Sequence, residues 1–142
     1  MQATPGTDLA LITDISLWAL IRHLGTWLNN LRRAGDERKR QSIKALRRVI
    51  TAARTTRAYL RKLTDTARQD HAQEAKLAEK WTRLGFELKD LGLGALAKRC
   101  DITGRYWADP AQFEPEFIDR ADVGLARMEQ LARQMVAEIE TR

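Results

Sequence analysis

Residues 36–67 read DERKRQSIKALRRVITAARTTRAYLRKLTDTA, and this stretch decides the fold. Ile43, Leu46, Val49, Ile50, Ala53, Leu60 and Leu63 recur at helical spacing and make one apolar side. The stretch holds no proline or glycine and is rich in Ala, Leu, Arg and Lys, which lose little freedom on entering a helix. Asp36 is a good N-cap residue, so a helix is predicted from near Asp36 to about Ala67. Arg57 breaks the pattern. It lies seven residues after Ile50, on the apolar side, and is expected either to snorkel outward or to meet an acid of the next helix, Glu79 or Glu87.

The polar side is more unusual. Arg33, Arg40, Arg47, Arg54, Arg61 and Arg68 are spaced by seven throughout. On a helix they form a ridge that drifts by about 20° per heptad, broadened by Lys44, Arg48 and Lys62. From Arg32 to Lys62 the chain has twelve Lys/Arg against two acids, a net +10, leaving −4 for the rest of a molecule whose total is +6. A solvated helix gains from opposite charges one turn apart. Four residues on, Arg33 has Glu37 and Arg61 has Asp65, but Arg40, Arg47, Arg54 and Arg68 have no acid, so the middle of the ridge repels itself and calls for an acidic partner, inside the molecule or outside it.

Upstream, a first helix is predicted from Asp8 or Asp14 to about Arg33. Leu17, Leu20, Ile21, Leu24, Trp27, Leu28 and Leu31 share its core face. Leu11, Ile12, Ile15 and Trp18 fall mostly on the other side, and a helix apolar on two sides needs a second surface to bury against. Leu11, Ile15 and Trp18 are therefore the expected contact between copies of the chain. Ala34-Gly35 ends this helix, with glycine expected in the left-handed position.

Downstream, a third helix is predicted over Ala72–Leu91, with Leu77, Trp81, Leu84, Leu88 and Leu91 on one face. Gly85 costs that helix about 1 kcal/mol relative to alanine, which suggests close approach by a neighbour such as Trp27. Gly92-Leu93-Gly94 stops it, and Ala95–Cys100 adds a helical turn or two. Asp101–Pro115 reads as irregular, because Gly104 suggests a turn and Pro110 disfavours helical geometry before it. Its Ile102, Tyr106, Trp107 and Phe113 are expected to plug the bundle end, with Arg105, Tyr106 and Trp107 as an alternative partner loop. A last helix opens at Pro115 and runs to near Glu140, with Ile118, Ala121, Leu125, Met128, Ala132, Met135 and Ile139 at heptad spacing. The fold expected is all-α: one domain over residues 1–142, a flexible stretch at 1–7, and an up-down-up-down four-helix bundle carrying a short helix and aromatic loop between its third and fourth helices.

Chemistry is sparse. Two histidines, His23 and His71, are present. Helical-bundle ribonucleases place an arginine four to six residues before a histidine, and neither Arg22–His23 nor Arg68–His71 has that spacing. His71 precedes Glu74, the reverse of the Glu-x-x-His order of bundle metal sites. Ser16 and Ser42 lack a nucleophile-elbow context, Gly92-x-Gly94 lacks the features of a phosphate loop, and Cys100 reads as a small buried hydrophobe. No enzyme, cofactor or metal is expected. With one cysteine, no signal-like start and no uncharged run of about 20 apolar residues, the expectation is a cytoplasmic protein without a membrane span.

The resulting expectation is a non-enzymatic accessory protein, self-associating through its first helix. Arg40, Lys44, Arg47, Arg48, Arg54 and Arg61 would bind RNA or DNA backbone without reading sequence. Two readings compete. The ridge is covered by the protein's own acids, among them Glu79, Glu87, Glu129 and Glu138. Or it meets an acidic protein, as in an adaptor or immunity-type subunit of a larger bacterial complex.

Overall fold

The computed structural model describes the backbone of residues 14–112 and 116–141, and the side chains of residues 22, 24–111 and 124–141. It is all-helical. Among the described residues there are five α-helices and no strand: α1 (Asp14–Leu31), α2 (Asp36–Thr66), α3 (His71–Asp90), α4 (Gly94–Ala108) and α5 (Glu116–Glu140), with a short 3-10 turn at Pro110–Gln112. The stretch at 1–7, Leu11, Phe113 and Pro115 lie outside the described residues, as do the side chains of Ile15, Trp18 and His23.

The apolar stripes read from sequence meet in one core. Leu46, Val49, Ala53 and Leu60 of α2 are buried with Leu77, Trp81, Leu84 and Leu88 of α3 and with Leu125, Met128, Ala132, Met135 and Ile139 of α5. Leu24, Trp27 and Leu31 bring α1 to the same core. The Trp27 indole N–H donates to the Leu91 carbonyl at 2.8 Å, which ties α1 to the end of α3.

The helix ends explain the boundaries. Asp36 is the first residue of α2 rather than its cap. The cap is Gly35, in extended backbone (φ −70°, ψ 168°) and without a side-chain bond. Gly35 therefore does not take the left-handed position expected of it. Its carbonyl accepts from the Arg38 and Lys39 amides instead, so one residue closes the connection and opens the next helix. The left-handed residue that ends α2 is Ala67 (φ 56°). At the end of α3, Gly92 is left-handed (φ 83°). The Leu93 amide reaches back to the Leu88 carbonyl at 2.9 Å and the Gly92 amide to Lys89 at 3.0 Å. This is a Schellman closure, completed by the buried Leu88 and Leu93 side chains.

That closure turns the chain sharply into α4, where the largest departure from expectation lies. The region read as irregular from Asp101 onward is helical to Ala108. Gly104 makes no turn. It sits inside α4 against α3, where a Cβ would lie 2.5 Å from Thr82 Oγ1 and 3.3 Å from the Ala78 carbonyl. Gly85 of α3 is the matching notch, but its neighbour is not Trp27. A Cβ there would stand 3.3 Å from the Ala97 carbonyl and 3.4 Å from the Asp101 amide of α4. Two glycines thus let α3 and α4 pack backbone to backbone. The proline rule still holds at the far end, where α4 stops at Ala108 and Asp109 is extended (φ −152°).

Candidate functional site

The arginine ridge lies along the outer side of α2, and several of its members have partners. Glu37 of the same helix accepts from Arg40 at 2.7 Å, and this bond with the guanidinium charge holds its carboxyl below the ordinary range. An acid three residues back therefore exists where sequence spacing showed none four residues on. Arg47 reaches Glu140 at 3.4 Å and Arg54 reaches Glu129 at 3.0 Å, both on α5. Arg48 pairs with Glu87 on α3. Arg57 stands 3.9 Å from Glu129, so its acid is neither Glu79 nor Glu87. Glu79 instead pairs with Arg83 of its own helix at 2.8 Å.

These pairs are unequal. Glu129 keeps only 13% of its side-chain surface and holds two guanidinium groups from below. The arginines of the other pairs stay more than half exposed, so their pairing adds little stability and still presents positive charge to solvent. Lys44, Arg61 and Lys62 are exposed and have no ion pair among the described residues.

Beside the ridge, α2 and α3 part to leave an open groove of about 750 Å³. Arg48 and Thr51 form one bank. Lys76, Lys80 and Arg83 form the other, with Glu79 and Glu87 among them and Leu84 at the floor. Lys76 and Lys80 are exposed and have no ion pair among the described residues. Sequence reading missed this second bank. The signal was present, since positions 76, 80 and 83 share a helical face, but Glu79 and Glu87 on the same face make it read as an ordinary mixed-charge surface.

A buried polar cluster lies at the start of α3. The Tyr59 hydroxyl donates to Glu74 Oε2 at 2.6 Å and accepts from the Asp70 amide at 2.9 Å. His71 Nδ1 lies 3.3 Å from Glu74 Oε1. Burial, and then the bond to the Glu74 carboxylate, push the Tyr59 phenol up to about 12. Trp107 meets Tyr59 edge-on at 5.5 Å and Tyr106 edge-on at 4.8 Å. Tyr106 is likewise raised to about 12, by burial first and then by the Glu74 charge. A phenol held protonated beside a buried carboxylate rigidifies this end of the molecule. His71 is exposed on its outer edge.

Tyr106 and Trp107, expected in a partner loop, are each 4% exposed. Arg105 alone reaches the surface there, and it pairs with Asp101 one turn back at 3.2 Å. The three are therefore not brought together on one face. Cys100 is fully buried in the middle of α4, where burial pushes its thiol far up, away from the reactive thiolate. Arg99 beside it is 3% exposed, and burial brings its guanidinium down to about 10. Among the described residues, no cluster of His, Cys, Asp or Glu could hold a metal ion, and no helix is long and apolar enough to cross a membrane. Compared with protein-family models, with curated proteins and with solved structures, the chain matches none.

Proposed function

We propose that this chain is a non-enzymatic binding protein whose α2–α3 face takes the phosphate backbone of RNA or DNA without reading base sequence. One observation carries the reading. Lys44, Arg61 and Lys62 on α2, and Lys76 and Lys80 on α3, are exposed cations in no ion pair among the described residues, although Lys44 is near enough to Glu37 to join Arg40 in lowering its carboxyl. The two lysines of α3 line an open groove. The chain's own acids account for Arg40, Arg47, Arg48, Arg54 and Arg57, so the bare repulsive ridge of the sequence narrows to this set. Phosphates along a strand would relieve the remaining repulsion and release their own counterions.

The test is binding of mixed-sequence RNA and DNA at low salt, measured by fluorescence anisotropy. Lys76→Glu/Lys80→Glu is the informative variant, because neither lysine holds an ion pair that the fold depends on. It should bind at least about tenfold more weakly with its helical content unchanged. Failure of the wild type to bind either polymer refutes the reading. Arg54→Glu is a poorer probe, since it sets a carboxylate against Glu129 and disturbs the fold.

Glu79 and Glu87 stand in the same groove and favour a second reading. A polyphosphate is repelled by them, whereas an acidic protein carrying some cations is not, as for an adaptor or immunity-type subunit. In that case a stoichiometric protein partner is recovered by pull-down, and Lys76→Glu/Lys80→Glu loses it.

Two architectural elements belong to the same proposal. The up-down-up-down four-helix core, expected of α1, α2, α3 and α5, is proposed instead for α2 to α5, supported by partner positions that run in opposite directions along α2/α3, α3/α4 and α2/α5. Self-association uses Leu11, Ile15 and Trp18, a reading that rests on sequence pattern. It fails if the wild type has a monomer mass by light scattering. The cytoplasm is the proposed compartment, because the one cysteine is free and buried.

A further inference from the structure

On the other flank of α3 a second cleft, of about 380 Å³, lies along its seam with α4. Phe86 stands at its edge, 64% exposed, the exposed large hydrophobic side chain of the described surface. One exposed phenyl ring is ordinary on a protein surface; what sets Phe86 apart is its place in a cleft rimmed by two lysines. Gly85 and Ala97, buried where the two helices touch, form its floor, and Gly94 puts no side chain at its edge. At Gly94 a Cβ would find nothing within 4 Å. Lys89 and Lys98 stand on the rim from the two helices. The one carboxylate in the lining, Asp101, is engaged by Arg105 at 3.2 Å.

An accessible aromatic face, an open slot beside it and flanking ammonium groups are the parts of a base-stacking platform. The platform is continuous with the basic face. Arg83 lies one turn before Phe86 on α3 and Lys89 one turn after it. From Lys76 to Lys89 the helix rises about 20 Å, enough for several nucleotides.

We propose that the nucleic acid taken by this protein is single-stranded, and that one unstacked base packs on Phe86 in the α3–α4 cleft while Lys89 and Lys98 hold the flanking phosphates. The inference rests on the backbone-binding reading above and adds a substrate class to it. A duplex keeps its bases paired and stacked, so it cannot offer one to Phe86. It binds through the cations alone.

The test compares a uridine single strand, an abasic strand of equal length and charge, and a duplex, by anisotropy with four proteins: wild type, Phe86→Ala, Phe86→Tyr and Gly94→Leu. Phe86 is exposed and Gly94 has open space, so none of these changes threatens the core. Wild type should prefer the uridine strand over the abasic strand by about fivefold or more. Phe86→Ala and Gly94→Leu should erase that preference and leave duplex and abasic binding unchanged. Phe86→Tyr should keep it. Equal binding of all three polymers by wild type, or a preference that survives Phe86→Ala, overturns the stacking site while leaving the backbone reading in place. A fold-matched loss for all three polymers in Phe86→Ala means a general surface effect and also overturns it. Absence of binding to any polymer removes both proposals, and a protein docking on Phe86 is then read from a pull-down that Phe86→Ala abolishes.

Discussion

Gly104 shows how one residue decides the packing of two helices. Its missing Cβ would lie 2.5 Å from Thr82 Oγ1 and 3.0 Å from the Thr82 amide. The amide belongs to a helix backbone and cannot move aside. Gly104→Ala should therefore cost about 1–3 kcal/mol of stability despite alanine's better helix propensity, read from the urea midpoint. In sequence a glycine that makes a notch looks like a glycine that makes a turn. Followed by Asp109-Pro110, it read as a turn, and the second half of a 15-residue helix, from Asp101 to Ala108, was missed.

Tyr59 and Tyr106 carry the residue-scale pH dependence. Both phenols are raised to about 12 from 10. The folded state therefore holds protons that the unfolded chain has released between those values. Stability is fully present below pH 10 and falls as pH rises through the folded pKa. Denaturant midpoints should drop between about pH 10 and 12 in the wild type. In Tyr59→Phe/Tyr106→Phe that alkaline drop should be smaller, although the variant starts less stable because Glu74 loses a donor.

At the scale of elements, the pairing of α2 with α5 was half legible. The apolar periods of both helices gave the buried faces correctly at Leu46, Val49, Leu60, Leu125, Met128 and Ile139. Which acid meets which arginine was not, because Arg54 and Glu129 are 75 residues apart and no local spacing encodes their meeting. Arg57 was correctly marked as anomalous but assigned to the wrong helix. Glu129 holds Arg54 and Arg57 from a mostly covered position, between the exposed and buried limits for ion pairs. Glu129→Gln should cost about 1–3 kcal/mol. It should also tighten RNA binding by releasing the Arg54 guanidinium from its carboxylate, so stability and affinity move in opposite directions. A parallel fall in both would place Arg54 outside the binding face.

For the whole molecule, charge is distributed by flank. The α5 side of the α2 ridge is answered by Glu129 and Glu140, and the α3 side opens into a groove whose lysines are unanswered. The asymmetry of charge along the chain was plain in the sequence. Its division between a paired flank and an open one required the helices to be placed side by side. The central claim is that the open flank exchanges counterions for phosphates, and the salt dependence of RNA binding tests it most directly. The logarithm of the association constant should fall linearly with the logarithm of salt concentration, by about 0.7 per phosphate contacted on a single strand. With several contacts the slope should be about −3 or steeper, and Lys76→Glu/Lys80→Glu should make it shallower by about 1 or more. A flat salt dependence, or a slope that the double variant leaves unchanged, would contradict the account.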